Sequence, residues 1–189
     1  MSGEPPIPFL PARHFRPADR KVVKWVVIHS AEIGETLDGA EALMRGFARK
    51  RLNAKGKEIV SSAHYNVDAD SITQSVHEKD IAYHAPGANS LGIGIELCGR
   101  ARQTAAEWDD EYSRTMLARA AALTARICER WGIPIFLVDE AGMMAGLSGI
   151  TSHAIVSNAF GKSNHHDPGE RFPYDRFIGL VSTYGRGVA

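Results

Sequence analysis

The side chains in this sequence best suited to chemistry are imidazoles and carboxylates: His29, Glu96, His153, His165 and Asp167. Imidazole and carboxylate together hold zinc, and three such ligands leave a position for a water whose pKa then falls to about 7. His29 ends an apolar run, where the side chains of a strand meet loops and solvent. A lone histidine there is ordinarily structural. His153 is followed closely by His165-His166-Asp167-Pro168-Gly169, in a stretch too rich in polar and small residues to be core. A strand-end histidine, a distant histidine and an aspartate make a metal site if the fold brings them together, and chain spacing alone does not decide that.

Glu96 stands in a different pattern. In Leu91-Gly-Ile-Gly-Ile-Glu96-Leu97, Leu91, Ile93, Ile95 and Leu97 fall on one face of a strand and Gly92, Gly94 and Glu96 on the other. Glycine weakens a strand, so two of them beside a carboxylate imply a close neighbour on that face: a ligand, a bend or a tight packing contact.

The elements that must position these groups are readable in outline. Residues 1–20, with Pro5, Pro6, Pro8, Pro11 and Pro17, suit an extended lead-in with little regular structure. Val22 to His29 is a β-branched buried strand. Asp38 to Lys50 carries Leu43, Met44 and Phe47 at helical spacing. Ala63 to Asp68 and Ile72 to Val76 read as short strands joined in a hairpin. Thr104-Ala-Ala-Glu107 fits a capping box opening the longest helix, about 105 to 131, whose buried stripe is Leu117, Ala120, Leu123, Ile127 and Trp131. Gly132-Ile-Pro134 ends it. Ile135 to Val138 reads as a strand and Asp139 to Leu147 as weakly helical. From Gly149 to Tyr174 a loop-rich region is expected, and 181–189 is a short tail.

Composition narrows the class. The chain is long enough for one α/β domain: a mixed central sheet of five or six strands flanked by helices. Lys plus Arg equals Asp plus Glu at 22 each, so a phosphate-neutralising nucleic-acid binder is a poor fit. Arg13, Arg16, Arg20, Lys21 and Lys24 read as a solvated flank. No apolar run is long enough to span a bilayer, so no membrane insertion is expected. No basic-then-apolar leader opens the sequence, so synthesis in the cytoplasm without a signal peptide is expected. Cys98 and Cys128 form no CxxC pair and are expected as buried free thiols. Without a coiled-coil or long apolar edge pattern, a monomer is expected.

Several short motifs occur in order: Trp25-Val-Val-Ile-His29-Ser, Ser61-Ser-Ala-His64-Tyr, Tyr83-His84-Ala, Asn89-Ser-Leu-Gly-Ile-Gly-Ile-Glu96-Leu, Ile150-Thr-Ser-His153 and His166-Asp167-Pro-Gly-Glu-Arg-Phe-Pro-Tyr174. Together they resemble the type 2 N-acetylmuramoyl-L-alanine amidases, relatives of the peptidoglycan recognition proteins, over roughly residues 10 to 180. Ala12-Arg13-His14-Phe15 and the region from Gly149 to Tyr174 look most like amidase domains of lysins from phages of actinobacteria.

The resemblance implies zinc held by His29, His153 and Asp167 at the edge of a substrate groove. Glu96 matches the carboxylate that deprotonates the water, with Gly92 and Gly94 leaving a floor for the substrate. Many relatives have an oxyanion-stabilising lysine two residues before the aspartate; here it is His165, whose N–H can donate instead. A tyrosine that some relatives carry before the histidine matching His64 is Ala63 here, leaving the base function to Glu96. His84 and Asn89 are expected to line or shape the groove, with His64 near the site. The partner implied is peptidoglycan, in the setting of a phage endolysin released through a membrane pore. The alternative is a module that binds muropeptides without cutting them. Such modules typically lack a zinc ligand, and all three positions are filled here. A metalloprotease ranks last because no HExxH motif is present.

Overall fold

The computed structural model describes residues 6–186. Its centre is a five-stranded mixed sheet built from β2 (Trp25–Ser30), β3 (Tyr65–Val67), β4 (Ile72–Gln74), β6 (Gly92–Leu97) and β7 (Gly149–Ser152), in the order β4-β3-β6-β2-β7. β2 runs parallel to both β6 and β7, β6 is parallel to β3, and only the β3–β4 hairpin is antiparallel. A second, two-stranded sheet pairs β1 (Phe15–Arg16) with β5 (Ile81–Ala82).

Strand periodicity sorts the two faces. Val26 and Ile28 of β2 and Ile93, Ile95 and Leu97 of β6 point into the main core. There they meet Met116, Leu117, Ala120, Leu123 and Ile127 of helix α2 (Glu111–Trp131). Each of the larger side chains here, once buried, contributes about 1.5–3 kcal/mol, which is why this face holds the long helix. Trp25 and Val27 point the other way, into a smaller cluster with Val138, Met143 and Val156. His29 and Glu96 follow in the same alternation, so the candidate chemistry lies on the face away from α2.

Several elements differ from the sequence expectation. The capping box forms, with the Thr104 N–H donating to Glu107 Oε2 at 2.7 Å, but it opens a single 3-10 turn, Glu107–Asp109. α2 starts afterwards at Glu111, where the Asp110 side chain accepts from the Ser113 N–H. Helix α1 (Gly39–Ala48) is shorter than expected. The 135–138 segment makes one bridge, Leu137 to Ile150, rather than a strand, and leads into α3 (Glu140–Met144).

The supposed loop region begins with β7 and continues as α4 (His153–Phe160). The supposed tail belongs to α5 (Tyr174–Arg186), which buries Phe177 and Val181 against α2. The lead-in is extended but not free: Leu10 and Ala12 donate to Gln74 O and Ser75 O, adding a partial strand at the β4 edge. The ends of the expected lead-in and tail, residues 1–5 and 187–189, lie outside the described residues. Cys98 and Cys128 are buried free thiols. Among the described residues no helix is long and apolar enough to cross a membrane.

Candidate active site

Three elements deliver His29, His153, His165 and Asp167 to one place. β2 carries His29 at its C-terminal end. Ser152 closes β7 and caps α4, its side chain accepting from the Ile155 N–H, which fixes His153 as the first helical residue. The following loop is tied back to α4, since the Ala154 N–H donates to Asp167 O at 2.9 Å and the His165 N–H to Ser157 Oγ at 3.3 Å. Gly169 has a φ of 103°, and a Cβ there would lie 1.9 Å from Ala101 O, so only glycine passes this point.

His29 Nδ1 lies 3.1 Å from Asp167 Oδ2, and His153 Nδ1 lies 3.2 Å from Asp167 Oδ1. All three side chains are buried, and one ligand atom from each lies within 4.8 Å of the others. Two imidazoles and one carboxylate at this spacing fit a divalent metal that accepts nitrogen and oxygen. The ionisation states fit as well. Burial alone would raise the Asp167 carboxyl, but hydrogen bonds and charge from His153 and His29 outweigh it and hold it far below the carboxylate range. Burial holds His29 below the usual imidazole value against the pull of Asp167. A neutral imidazole and an ionised carboxylate are the forms that bind metal.

Glu96 is the register partner of His29 across β2–β6 and lines the same groove, a cavity of about 350 Å³. Burial first, then the charge of Asp167, pushes its carboxyl up to about 8, while Arg51 opposes the shift. His165 also lines the groove, with Nδ1 3.4 Å from Asp167 Oδ1 and its ring stacked on His153 at 4.1 Å between centroids. Its side chain is 58% exposed, so it can meet a substrate without displacing protein.

The other expected residues lie around and behind this set. Gly92 and Gly94 leave no substrate floor: a Cβ on Gly94 would lie 2.6 Å from His84 Cγ, and one on Gly92 3.3 Å from His84 Cε1. The space beside the glycines is filled by His84, which reaches the groove wall but is mostly buried behind His29. His64 is wholly buried and offers substrate no surface. Its Nδ1 accepts the Gly94 N–H at 3.0 Å, and Arg20 Nη2 lies 2.9 Å from its Nε2. Asn89 is not part of the groove lining; its Oδ1 accepts the N–H groups of His84 and Ala85 at 3.0 and 2.7 Å and so shapes the loop behind it.

Arg51 is a charged groove residue that the sequence did not single out. It lies over the Phe47 ring, 4.7 Å from its centroid, and donates to Ser61 O and Oγ at 3.1 and 2.7 Å. In sequence it sits in the basic stretch Arg49-Lys50-Arg51, where nothing separates it from solvated neighbours.

A family model described as N-acetylmuramoyl-L-alanine amidase matches residues 19–170. N-acetylmuramoyl-L-alanine amidase A of Achromobacter lyticus is 33% identical over 132 residues, which are 66% of this chain and 70% of that protein. Among solved structures, Staphylococcus aureus hydrolase AmiA, determined with its ligand, matches with a TM-score of 0.70 at 17% identity, covering 97% of this chain and 84% of AmiA. A mutant endolysin from Bacillus subtilis matches with a TM-score of 0.58 at 18% identity, over 93% of this chain and 99% of the endolysin. These two likenesses speak for the fold alone. The family model spans most of the sequence, including the groove lined by His29, Glu96, His153 and Asp167. The chain belongs to the N-acetylmuramoyl-L-alanine amidase family.

Proposed function

We propose that this protein is a zinc-dependent amidase cutting the bond between N-acetylmuramic acid and L-alanine in bacterial peptidoglycan. The observation that carries the reading is the convergence of His29, His153 and Asp167 within 4.8 Å, beside a carboxylate in ladder register with His29. Two nitrogens and an oxygen suit zinc, and three protein ligands leave a coordination position for the reaction.

Zinc bound there would supply Lewis acidity to the lactyl carbonyl and to an attacking water. The remaining work belongs to the chain. Glu96 takes the water's proton as the new C–O bond forms. It gives that proton to the L-alanine nitrogen as the C–N bond breaks, so the carboxylate is regenerated each turnover. His165 donates an N–H to the oxyanion in the place of the family lysine. Arg51, of opposite charge to Glu96, favours its ionised form. The products are the muramyl carboxylate and a peptide with a free L-alanine amino terminus.

The setting we propose is that of a phage endolysin, acting as a monomer. It would be made in the host cytoplasm and reach the wall after release through a pore. Support comes from the phage-lysin likeness of the Gly149–Tyr174 region and from the fold shared with the Bacillus subtilis endolysin. The test is a digest of purified peptidoglycan by zinc-loaded protein, by chelator-treated protein and by Glu96→Ala, read by mass spectrometry. L-Alanine amino termini should appear only in the first. Binding of the wall without cleavage at any pH would leave the muropeptide-binding module as the better description.

A further inference from the structure

Behind the ligand set lies a further imidazole that the proposed reaction does not use. His29 Nε2 is 3.1 Å from His84 Nδ1, while His29 Nδ1 faces Asp167. We infer that His84 is a positioning residue for the metal centre, accepting the Nε2–H of His29 and so committing Nδ1 of His29 to the metal. The inference rests on the zinc reading above and adds to it the residue that fixes the orientation and tautomer of the first ligand.

The argument is one of proton placement. A neutral imidazole carries one N–H and one lone pair. If Nδ1 of His29 ligates, its proton must sit on Nε2, and at 2% exposure that N–H needs a protein acceptor. His84 Nδ1 is the acceptor within reach. Its own proton is then on Nε2, where no donor among the described residues claims the lone pair and the nearby Gly92 carbonyl, an acceptor, favours a proton on the ring. Ligating histidines are commonly held through the second nitrogen in this way, by a carboxylate or carbonyl; here an imidazole fills the role.

The strand sequence is cut to fit this ring. A Cβ on Gly94 would lie 2.6 and 2.7 Å from His84 Cγ and Nδ1, and one on Gly92 3.3 Å from Cε1. Any side chain at Gly94 would therefore drive His84 from its seat. The ring is held from its own backbone too, because Asn89 Oδ1 binds the His84 and Ala85 N–H groups. Gly92 and Gly94 thus serve the ligand His29 through His84, and Glu96 reaches the groove two residues further along the same face.

The test measures zinc affinity of the metal-stripped protein against a chromophoric chelator, with folding checked by circular dichroism. His84→Ala should weaken zinc binding by ~10–100-fold. His84→Asn, whose Oδ1 can take the place of Nδ1, should recover most of that loss. Gly94→Ala leaves every ligand intact, yet should weaken zinc comparably and add little in the His84→Ala background. Nitrogen-15 shifts should show His84 protonated at Nε2 in the zinc form. Zinc affinity within twofold of wild type in folded His84→Ala or Gly94→Ala, or His84 protonated at Nδ1 with zinc bound, overturns the inference alone. Wild-type protein that takes up no zinc overturns the zinc reading and this inference together.

Discussion

His29 and Glu96 are direct partners in the parallel β2–β6 ladder, and Asn66 of β3 continues the same row. Register partners on adjacent strands project from one face, so the proposed ligand and the proposed base are spaced by main-chain hydrogen bonds rather than by loops. A slip of one residue would turn Glu96 into the α2 core and bring Ile95 to the groove. The sheet thus supplies half of the site with little freedom, and the α4 loop brings His165 and Asp167 to it.

Glu96→Gln keeps the size of the side chain and removes its ability to take a proton. Turnover of peptidoglycan should fall by at least ~100-fold, while binding of muropeptides changes little. Initial rates and equilibrium binding on the same preparation separate the two quantities. Turnover near wild type would remove Glu96 from the proton-transfer role.

The acid limb of the pH profile should report Glu96. Its carboxyl is pushed up to about 8 by burial and Asp167, with Arg51 pulling the other way. A cation among the ligands offsets the charge of Asp167, so the zinc-loaded enzyme should show its acid limb below that value. The base works when ionised, and the rate therefore rises with pH through this step. Arg51→Met removes the opposing charge and should move the acid limb to higher pH, with Arg51→Lys intermediate. An unmoved limb in kcat/KM would mean that Arg51 acts on something other than Glu96.

What the sequence made legible follows from period and composition. β2 was readable because a β-branched run buried on both faces has few other uses, and β6 because its alternation separates core from groove. The two glycines signalled a close neighbour but not its identity, since His84 arrives from a loop whose path depends on Asn89 and on the burial of Ala85 and Ala88 within it. α4 was hidden because His-Ala-Ile-Val-Ser-Asn-Ala-Phe is short and mixes β-branched residues with Ser and Asn. α5 was hidden by Gly179 and Gly185, which lower helix propensity in a segment stabilised instead by packing on α2.

Removing zinc should lower the melting temperature. A ligand that binds only the native state adds about 2.7 kcal/mol when its free concentration is a hundred times its dissociation constant. Thermal scans with and without chelator should therefore differ, and His29→Ala should abolish the difference. Identical scans for wild type under both conditions would argue against a metal held by the native state.

His64 predicts an acid-side loss of stability independent of catalysis. Burial first, then the charge of Arg20, holds its imidazole down to about 3. Its unfolded value is near 6.5, so the unfolded chain binds the extra proton throughout the interval between them. The stabilisation is therefore present above about pH 6.5 and lost progressively as pH falls toward 3, by on the order of a few kcal/mol. Urea midpoints across this range should drop for wild type and drop less for His64→Asn. Parallel slopes would show that other groups dominate the acid transition.

Two glycines near the ligand loop should respond differently to alanine. Gly161 has φ 60° with open space around the missing Cβ, so Gly161→Ala should cost roughly 1 kcal/mol in backbone strain and leave zinc affinity unchanged. Gly169 has φ 103° and its Cβ would strike the Ala101 carbonyl. Relief requires the chain between Asp167 and Phe172 to shift, and the Asp167 carboxylate moves with it. Gly169→Ala should therefore lower the melting temperature more than Gly161→Ala and also weaken zinc by roughly tenfold or more, the low end of the range seen when a ligand's support is lost. Stability loss with unchanged zinc affinity would mean that the tie from the Ala154 N–H to Asp167 O, rather than Gly169, sets the ligand's position.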